Sequence, residues 1–151
     1  MMASVVFGQD TATYVKQCKP KQSISPYVSV GLSMSNTDNF RNGTYFGVES
    51  GICMDNLGLG VVLGRGSLSG AFKNGDKSSS YFYETKASGS FPIGKLNGVV
   101  FFGLGGYFNT SHTFIEYGTG FYYQVSHLSY GMSYSNWDGC NYITPNITYN
   151  F

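Results

Sequence analysis

YITPNITYNF, residues 142–151, alternates between apolar and polar side chains from Ile143 onward. The apolar parity comprises Ile143, Pro145, Ile147, Tyr149 and Phe151, and the polar parity comprises Thr144, Asn146, Thr148 and Asn150. A period of two indicates a β-strand whose two faces meet different surroundings. Chain ends usually fray unless they are paired. The segment therefore predicts a terminal strand with a partner along its length.

The same alternation occurs in seven earlier segments, which are separated by turn and loop residues. We predict these strands at residues 26–35, 44–54, 57–66, 80–91, 98–108, 113–125 and 128–135. Most have about the 9–11 residues that a tilted strand needs to cross a bilayer. The turns at 55–56 and 126–127 are short, whereas the loops predicted at 35–43, 70–79 and 135–141 are longer and polar. The turn at 92–98 is longer, and the loop at 109–112 shorter, than this alternation predicts.

The composition excludes several classes of protein. Charged residues make up 11% of the chain and aromatic residues 17%, and no apolar run is long enough for a transmembrane helix. A net charge of +1 without a basic stripe gives no basis for nucleic-acid binding. The spacing of Cys18, Cys53 and Cys140 does not match a zinc site, and His112 and His127 are far apart. We predict no metal and no cofactor, and we leave open a disulfide between Cys18 and Cys53.

Large apolar side chains occupy one face of nearly every predicted strand, and Gly, Ser, Thr and a few charges occupy the other. Only the strand at 98–108 is apolar on both faces. Eight strands enclose an interior just wide enough for side chains, so small residues and a few charges fit inside and the bulky apolar set does not. We therefore predict an all-β, eight-stranded antiparallel up-and-down barrel with a polar, side-chain-filled interior. Because isolated buried charges are costly, we expect an interior polar network centred on Lys86: Glu49, Glu84, Lys86, Glu116 and Gln124.

A terminal strand that ends on Phe, with apolar or aromatic residues at alternate positions before it, resembles the assembly signal of bacterial outer-membrane barrels. With its eight strands and its face chemistry, the segment 26–151 resembles the small barrels of the OmpA/OmpX type. The resemblance implies a monomeric transmembrane barrel without a wide pore, embedded in outer-membrane lipid at the bacterial cell surface. It also implies that the barrel-assembly machinery reads the C-terminal signal, here Ile147, Tyr149 and Phe151.

The resemblance implies a structural or surface-interaction role, adhesin-like, through external loops whose ligand stays unidentified, and no catalysis. Three alternatives remain open: a lipid-modifying outer-membrane enzyme, a narrow porin-like pore, and a soluble barrel that binds an apolar ligand. The enzyme would need Ser111 and His112 within hydrogen-bond distance, near Glu116, because a catalytic triad is defined by its geometry. The pore would need a continuous water path past Glu84 and Lys86.

Residues 1–25 differ from the rest of the chain. MMASVVFGQD resembles the tail of a secretory signal peptide without its basic start, and the segment after it is polar. We interpret 1–25 as a signal-peptide remnant or a flexible lead-in and 26–151 as the barrel domain.

Aromatic residues are predicted to form girdles where lipid meets water, with the ring in the apolar layer and the polar tip among the headgroups. An ordinary preference of aromatic residues for β-sheets is the alternative explanation. The predicted girdle residues are Tyr81, Tyr83, Tyr107, Tyr117, Tyr123, Tyr130, Tyr134 and Trp137.

Overall fold

The structure, a computed structural model, describes residues 24–35, 44–67, 79–109, 111–137 and 139–151. Residues 1–23, with Cys18 and most of the predicted lead-in, lie outside these ranges, as do nearly all of the predicted loops 35–43 and 70–79. Within these ranges no helix has the length and apolarity needed to cross a membrane. The eight strands are β1 (Ser25–Ser35), β2 (Thr44–Met54), β3 (Leu57–Ser67), β4 (Ser79–Ile93), β5 (Leu96–Tyr107), β6 (Thr113–Val125), β7 (Leu128–Trp137) and β8 (Cys140–Asn150).

Each strand pairs antiparallel with the next, and β8 pairs with β1 to close the barrel. The strands are staggered as well as tilted. Tyr27 of β1 pairs directly with Asn150 of β8 across the seam. Starting again from Tyr27 and stepping from partner to partner through β2 to β7 leads instead to Cys140 of β8. The two β8 positions differ by ten residues, and this difference is the stagger of the barrel. Strand number and stagger together set the width of a barrel. The predicted closed eight-stranded antiparallel barrel is confirmed.

Two-residue turns join β2 to β3, β4 to β5 and β6 to β7. Their first residues, Asp55, Gly94 and Ser126, all have a positive φ, between 51° and 60°. A positive φ at this position gives the turn a twist that matches the twist of the flanking strands. The long turn predicted at 92–98 is wrong, because Ile93 pairs with Leu96 and leaves only Gly94 and Lys95 in the turn.

The three short turns lie at one end of the barrel, together with the start of β1 and the end of β8; we call it the turn end. The opposite, loop end carries the connections 36–43, 68–78, 108–112 and 138–139. The predicted loop 135–141 is much shorter than expected, because β7 continues to Trp137 and β8 begins at Cys140.

The seam between β1 and β8 has an interruption at Pro145. Asn150 N donates to the carbonyl of His127 and Phe151 N donates to the carbonyl of Pro26. Backbone groups alternate sides along a strand, so odd-numbered residues of β8 face β1. Pro145, which has no N–H, therefore removes a donor from the seam, and the β1–β8 register skips from Gly31 to Met34.

Side chains on the inner face bridge the same seam. Ser33 Oγ and Thr144 Oγ1 lie 2.6 Å apart beside the interruption, and Thr148 Oγ1 donates to Ser29 Oγ over 2.8 Å. Ser33 and Thr148 are buried, where a hydrogen bond lost from one partner leaves the other unsatisfied. These hydroxyl pairs supply cross-strand bonds where proline removes one.

We predict that Thr144→Val, which keeps the side-chain volume but removes the hydroxyl, lowers the free energy of unfolding by about 1–2 kcal/mol. Thr85→Val is the matched control, because Thr85 lies on the outer face of β4, and it should cost less than half as much. Urea unfolding followed by tryptophan fluorescence measures both. Equal losses in the two variants would show that the bridge does not stabilise the seam.

Candidate functional site in the barrel interior

Most charged residues on the described strands lie on the inner face of the barrel. Seven charged residues fall in these ranges. Asp55 and Lys95 are in turns, and Arg65 is on the outer face. The remaining four project into the barrel: Glu49, Glu84, Lys86 and Glu116. The interior therefore holds three carboxyl groups and one ammonium group.

The register brings Lys86 to the carboxylates. Glu84 and Lys86 are two residues apart on β4 and so share a face. Lys86 pairs with Gly103 of β5, and Gly103 pairs with Glu116 of β6. Two strand spacings separate Lys86 from Glu116, about 10 Å between backbones, which long side chains can cross because the residue between them is glycine.

Lys86 forms the centre of the resulting ion cluster. Its Nζ lies 2.8 Å from Glu116 Oε2 and 3.6 Å from Glu84 Oε2. The ammonium also lies 4.7 Å from the ring centroid of Phe101, a cation–π distance. Both carboxylates are almost fully buried, and an ion pair at that depth depends on geometry because desolvation opposes it.

Glu49 and Gln124 face the interior but contact other groups. Tyr27 donates a short hydrogen bond from its hydroxyl to Glu49 Oε1. The amide of Gln124 donates to the carbonyl of Ser126, at the turn end of β6. The structure thus brings Glu84, Lys86 and Glu116 together, places Glu49 beside them with its own tyrosine partner, and leaves Gln124 apart.

The loop-end half of the interior is filled by aromatic rings, which the sequence analysis did not foresee. Their centroids lie 4.4–6.4 Å apart, in the range of favourable ring contacts. Val62 and Cys140 pack against them. We call this set the aromatic plug: Tyr45, Phe82, Tyr107, Phe114, Trp137 and Tyr142.

Two residues of the predicted girdles belong to this plug. Tyr107 and Trp137 are only 3% and 2% exposed, so their assignment to the lipid–water boundary is wrong. Trp137 shares its parity with Ser133 and Ser135 on β7, a signal that was missed because 135–141 was interpreted as a loop. The other predicted girdle residues have their side chains on the outer surface: Tyr81, Tyr83, Tyr117, Tyr123, Tyr130 and Tyr134.

A cavity lies beside the ion cluster, with about 70 Å³ of space for the centres of water molecules. A buried water needs roughly 10–15 Å³ by this measure, so the cavity has room for several. Its walls include Tyr27, Ser133 and Asn146. Asn146 Oδ1 has no protein hydrogen-bond partner among the described residues. A polar lining of this kind favours hydration over an empty cavity.

The two histidines considered for catalysis and metal binding lie at opposite ends of the barrel. Ser111 and His112 lie at the loop end, where the His112 ring stacks on Tyr107 at 5.9 Å, whereas His127 lies in a turn at the other end. In the described part of the chain no group of three or more His, Cys, Asp or Glu side chains could hold a metal. Cys53 is buried inside the barrel, and Cys18 lies outside the described residues.

We predict that Lys86→Met destabilises the barrel by about 3–5 kcal/mol, because it leaves Glu84 and Glu116 buried without a cation. Adding Glu84→Gln and Glu116→Gln should recover most of that loss, since the triple variant buries no unpaired charge there. The free energy of unfolding in urea measures both steps. An additive loss in the triple variant would show that the three charges are not coupled.

We predict that Gly103→Ala costs about 1–3 kcal/mol, because the new Cβ would overlap Glu84 Oε1. Gly89→Ala, on the neighbouring strand, is the control, since the nearest atom to its Cβ would be Val100 Cγ2 at 3.8 Å. If the two variants were equally stable, the ion cluster would not require a glycine between Lys86 and Glu116.

Comparison with known proteins supplies a structural relative. No protein-family model and no curated protein matches the chain. Among solved structures, the chain is similar to the crystal structure of the N-terminal β-barrel domain of Pseudomonas aeruginosa OprF. The TM-score is 0.63 at 14% sequence identity, over 84% of this chain and 97% of that one. The likeness shows that this chain has the same eight-stranded β-barrel fold as that domain.

Proposed function

We propose that this protein is an integral outer-membrane protein of bacteria, whose barrel spans the bilayer and whose loops serve a structural or surface-interaction role. The observation that carries the proposal is the distribution of apolar side chains. Leu, Val, Ile, Phe and Tyr residues on all eight strands project outward and are roughly half exposed, as Leu59, Val61 and Leu63 are on β3. A soluble barrel would place such residues inside and charges outside.

Strand length supports a membrane location. The eight strands have 10–15 residues, enough to cross the hydrocarbon layer at the tilt of a barrel strand. Every strand also has two neighbours, so no strand edge would face lipid with unpaired backbone groups.

The two ends suggest an orientation. Outer-membrane barrels have short turns on the periplasmic side and longer loops outside. By this rule the turn end faces the periplasm, and the loop end is at the cell surface. An interaction role would then depend on the connections at the loop end, which include the predicted contact loops 35–43 and 70–79.

The filled interior supports a role without conduction. Phe82, Glu84, Glu116 and Trp137 are each at most 2% exposed, so packed side chains fill the loop-end half of the lumen. A monomeric barrel closed in this way suits a structural or adhesin-like protein better than a narrow pore. The contacts of Glu116 and His112 likewise favour no catalytic role: Glu116 pairs with Lys86 inside the barrel, and the His112 ring stacks on Tyr107.

The experiment that tests the proposal compares the mobility of the membrane fraction in SDS with and without boiling. A closed barrel resists SDS until heated, because its backbone groups are all paired. We expect a band in the outer-membrane fraction that changes mobility on boiling. Recovery in the soluble fraction with no change in mobility would contradict the proposal.

The proposal includes recognition of β8 by the barrel-assembly machinery. Ile147, Tyr149 and Phe151 project outward from β8, and Tyr149 packs edge-on against Phe151 at 5.0 Å. Phe151→Ser should lower the amount of folded protein in the outer membrane several-fold, while the purified variant refolds in detergent like the parent protein. Phe121→Ser, at a similarly exposed Phe on β6, is the control. Equal losses in cells for both variants would assign the effect to lost lipid contact.

A further inference from the structure

Glu84 and Glu116 share one ammonium group inside the barrel. Lys86 Nζ lies 2.8 Å from Glu116 Oε2, within hydrogen-bond distance, but 3.6 Å from Glu84 Oε2. The Tyr45 hydroxyl also directs its donor at Glu116, 3.5 Å from Oε1. The donors of the ion cluster therefore converge on Glu116 rather than on Glu84.

Glu84 is the less well stabilised of the two side chains as an anion. It is 2% exposed, and its Oε1 has no hydrogen-bond partner among the described residues. That oxygen packs against Gly103, where even an added Cβ would overlap it, so a cation has no room on that side of Glu84. A buried carboxylate without donors costs far more free energy than a neutral carboxyl group in the same place.

The carboxyl groups of Glu84 and Glu116 are also in hydrogen-bonding contact with each other. An ionised carboxylate can only accept hydrogen bonds, whereas a protonated carboxyl group has one O–H donor. Two carboxyl groups at one site resist ionising together, because the second negative charge is repelled by the first. The contact therefore favours one proton on the pair.

The other charged groups of the interior do not replace this proton. Lys86 is the sole cation on the inner face of the described strands, and β1, β3, β5, β7 and β8 place no Asp or Glu there either. Glu49 of β2 adds a third carboxyl group, which accepts a hydrogen bond from Tyr27. The other titratable side chains on the cavity wall are tyrosines, which carry no positive charge: Tyr27, Tyr45 and Tyr122.

The pair lies where the accessible part of the lumen ends. Along the inner face of β4, Lys86 and Ser88 are partly exposed, whereas Glu84 and Phe82 are buried. The polar cavity is on the Lys86 side, and Glu116 forms part of its wall. The turn-end half of the lumen is therefore the side from which a proton reaches the pair, since the aromatic plug packs on the other side.

We propose that the Glu84–Glu116 pair is a proton-binding site, in which Glu84 is a neutral carboxylic acid at neutral pH and donates a hydrogen bond to Glu116. Lys86 then balances the single charge of Glu116. Release of the proton at high pH would place two carboxylates on one ammonium group, so the site makes the barrel interior sensitive to pH. The inference concerns the interior alone and does not depend on a membrane location.

The composition of the chain allows a direct measurement. Its three glutamates are Glu49, Glu84 and Glu116, and all three project into the barrel. With carbon-13 at their side-chain carboxyl carbons, the full chain refolded in detergent micelles gives chemical shifts that separate a carboxylic acid from a carboxylate. At neutral pH we expect one acid signal, from Glu84, and two carboxylate signals. As the pH is raised, the Glu84 and Glu116 signals should move together, because the proton contributes to both.

Two substitutions distinguish a shared proton from the effect of burial alone. Glu116→Gln leaves Lys86 to pair with Glu84, so the Glu84 signal should move to the carboxylate position. Glu49→Gln, the matched control, removes the third carboxyl group and should leave Glu84 in the acid form. A Glu84 signal that stays at the acid position in Glu116→Gln would overturn the shared site.

The spectrum of the unsubstituted chain decides the proposal even where a variant does not fold. Three carboxylate signals at neutral pH, or an acid signal from Glu49 or Glu116 in place of Glu84, would overturn it. Three carboxylate signals that also shift when sodium in the buffer is replaced by the larger cation N-methylglucamine would overturn it in favour of a small bound cation.

Discussion

The contact between Lys86 and Glu116 across Gly103 is the constraint on which the interior of this barrel depends. Eight strands with a stagger of ten residues leave a narrow lumen, and the polar groups in it must satisfy one another. Glycine at position 103 gives the two long side chains room to meet 2.8 Å apart. The other interior features are arranged around this pair, with the aromatic plug at the loop end and the polar cavity alongside.

The interior of the barrel combines the ion cluster and the polar cavity with the aromatic plug. The outer face is apolar, unlike that of a soluble β-barrel, and this has consequences for stability. In the proposed membrane location, apolar burial would not drive the strands together as it does in water. Backbone pairing around the closed sheet and packing within the lumen would then contribute more. The seam between β1 and β8 shows how the sheet compensates for a defect, since the Ser33–Thr144 pair lies beside the donor that Pro145 removes.

Alternation in the sequence was sufficient to predict the strands and the face of most residues, because a period of two assigns each side chain to one side of a sheet. It predicted which side Glu84, Lys86 and Glu116 occupy, but their meeting depends on the register between β4, β5 and β6. Register follows from turn lengths, and the β4–β5 turn was predicted too long. The aromatic plug was missed because the end of β7 and the start of β8 were interpreted as part of a loop. This segment is polar in composition, although only two residues connect the strands that carry Trp137 and Tyr142. Val99 and Phe101 could not be oriented, since both faces of β5 are apolar.

The central claim is that the apolar face of each strand contacts lipid, while the residues at alternate positions on the same strand face the lumen. Val61 and Val62 are adjacent on β3, yet Val61 is 52% exposed and Val62 only 5%. Methyl NMR of the protein in lipid nanodiscs can measure nuclear Overhauser contacts from each valine to lipid acyl chains and to water without any substitution. The account predicts contacts from Val61 to acyl chains and none from Val62. Contacts from Val61 to water alone, or from Val62 to acyl chains, would contradict it.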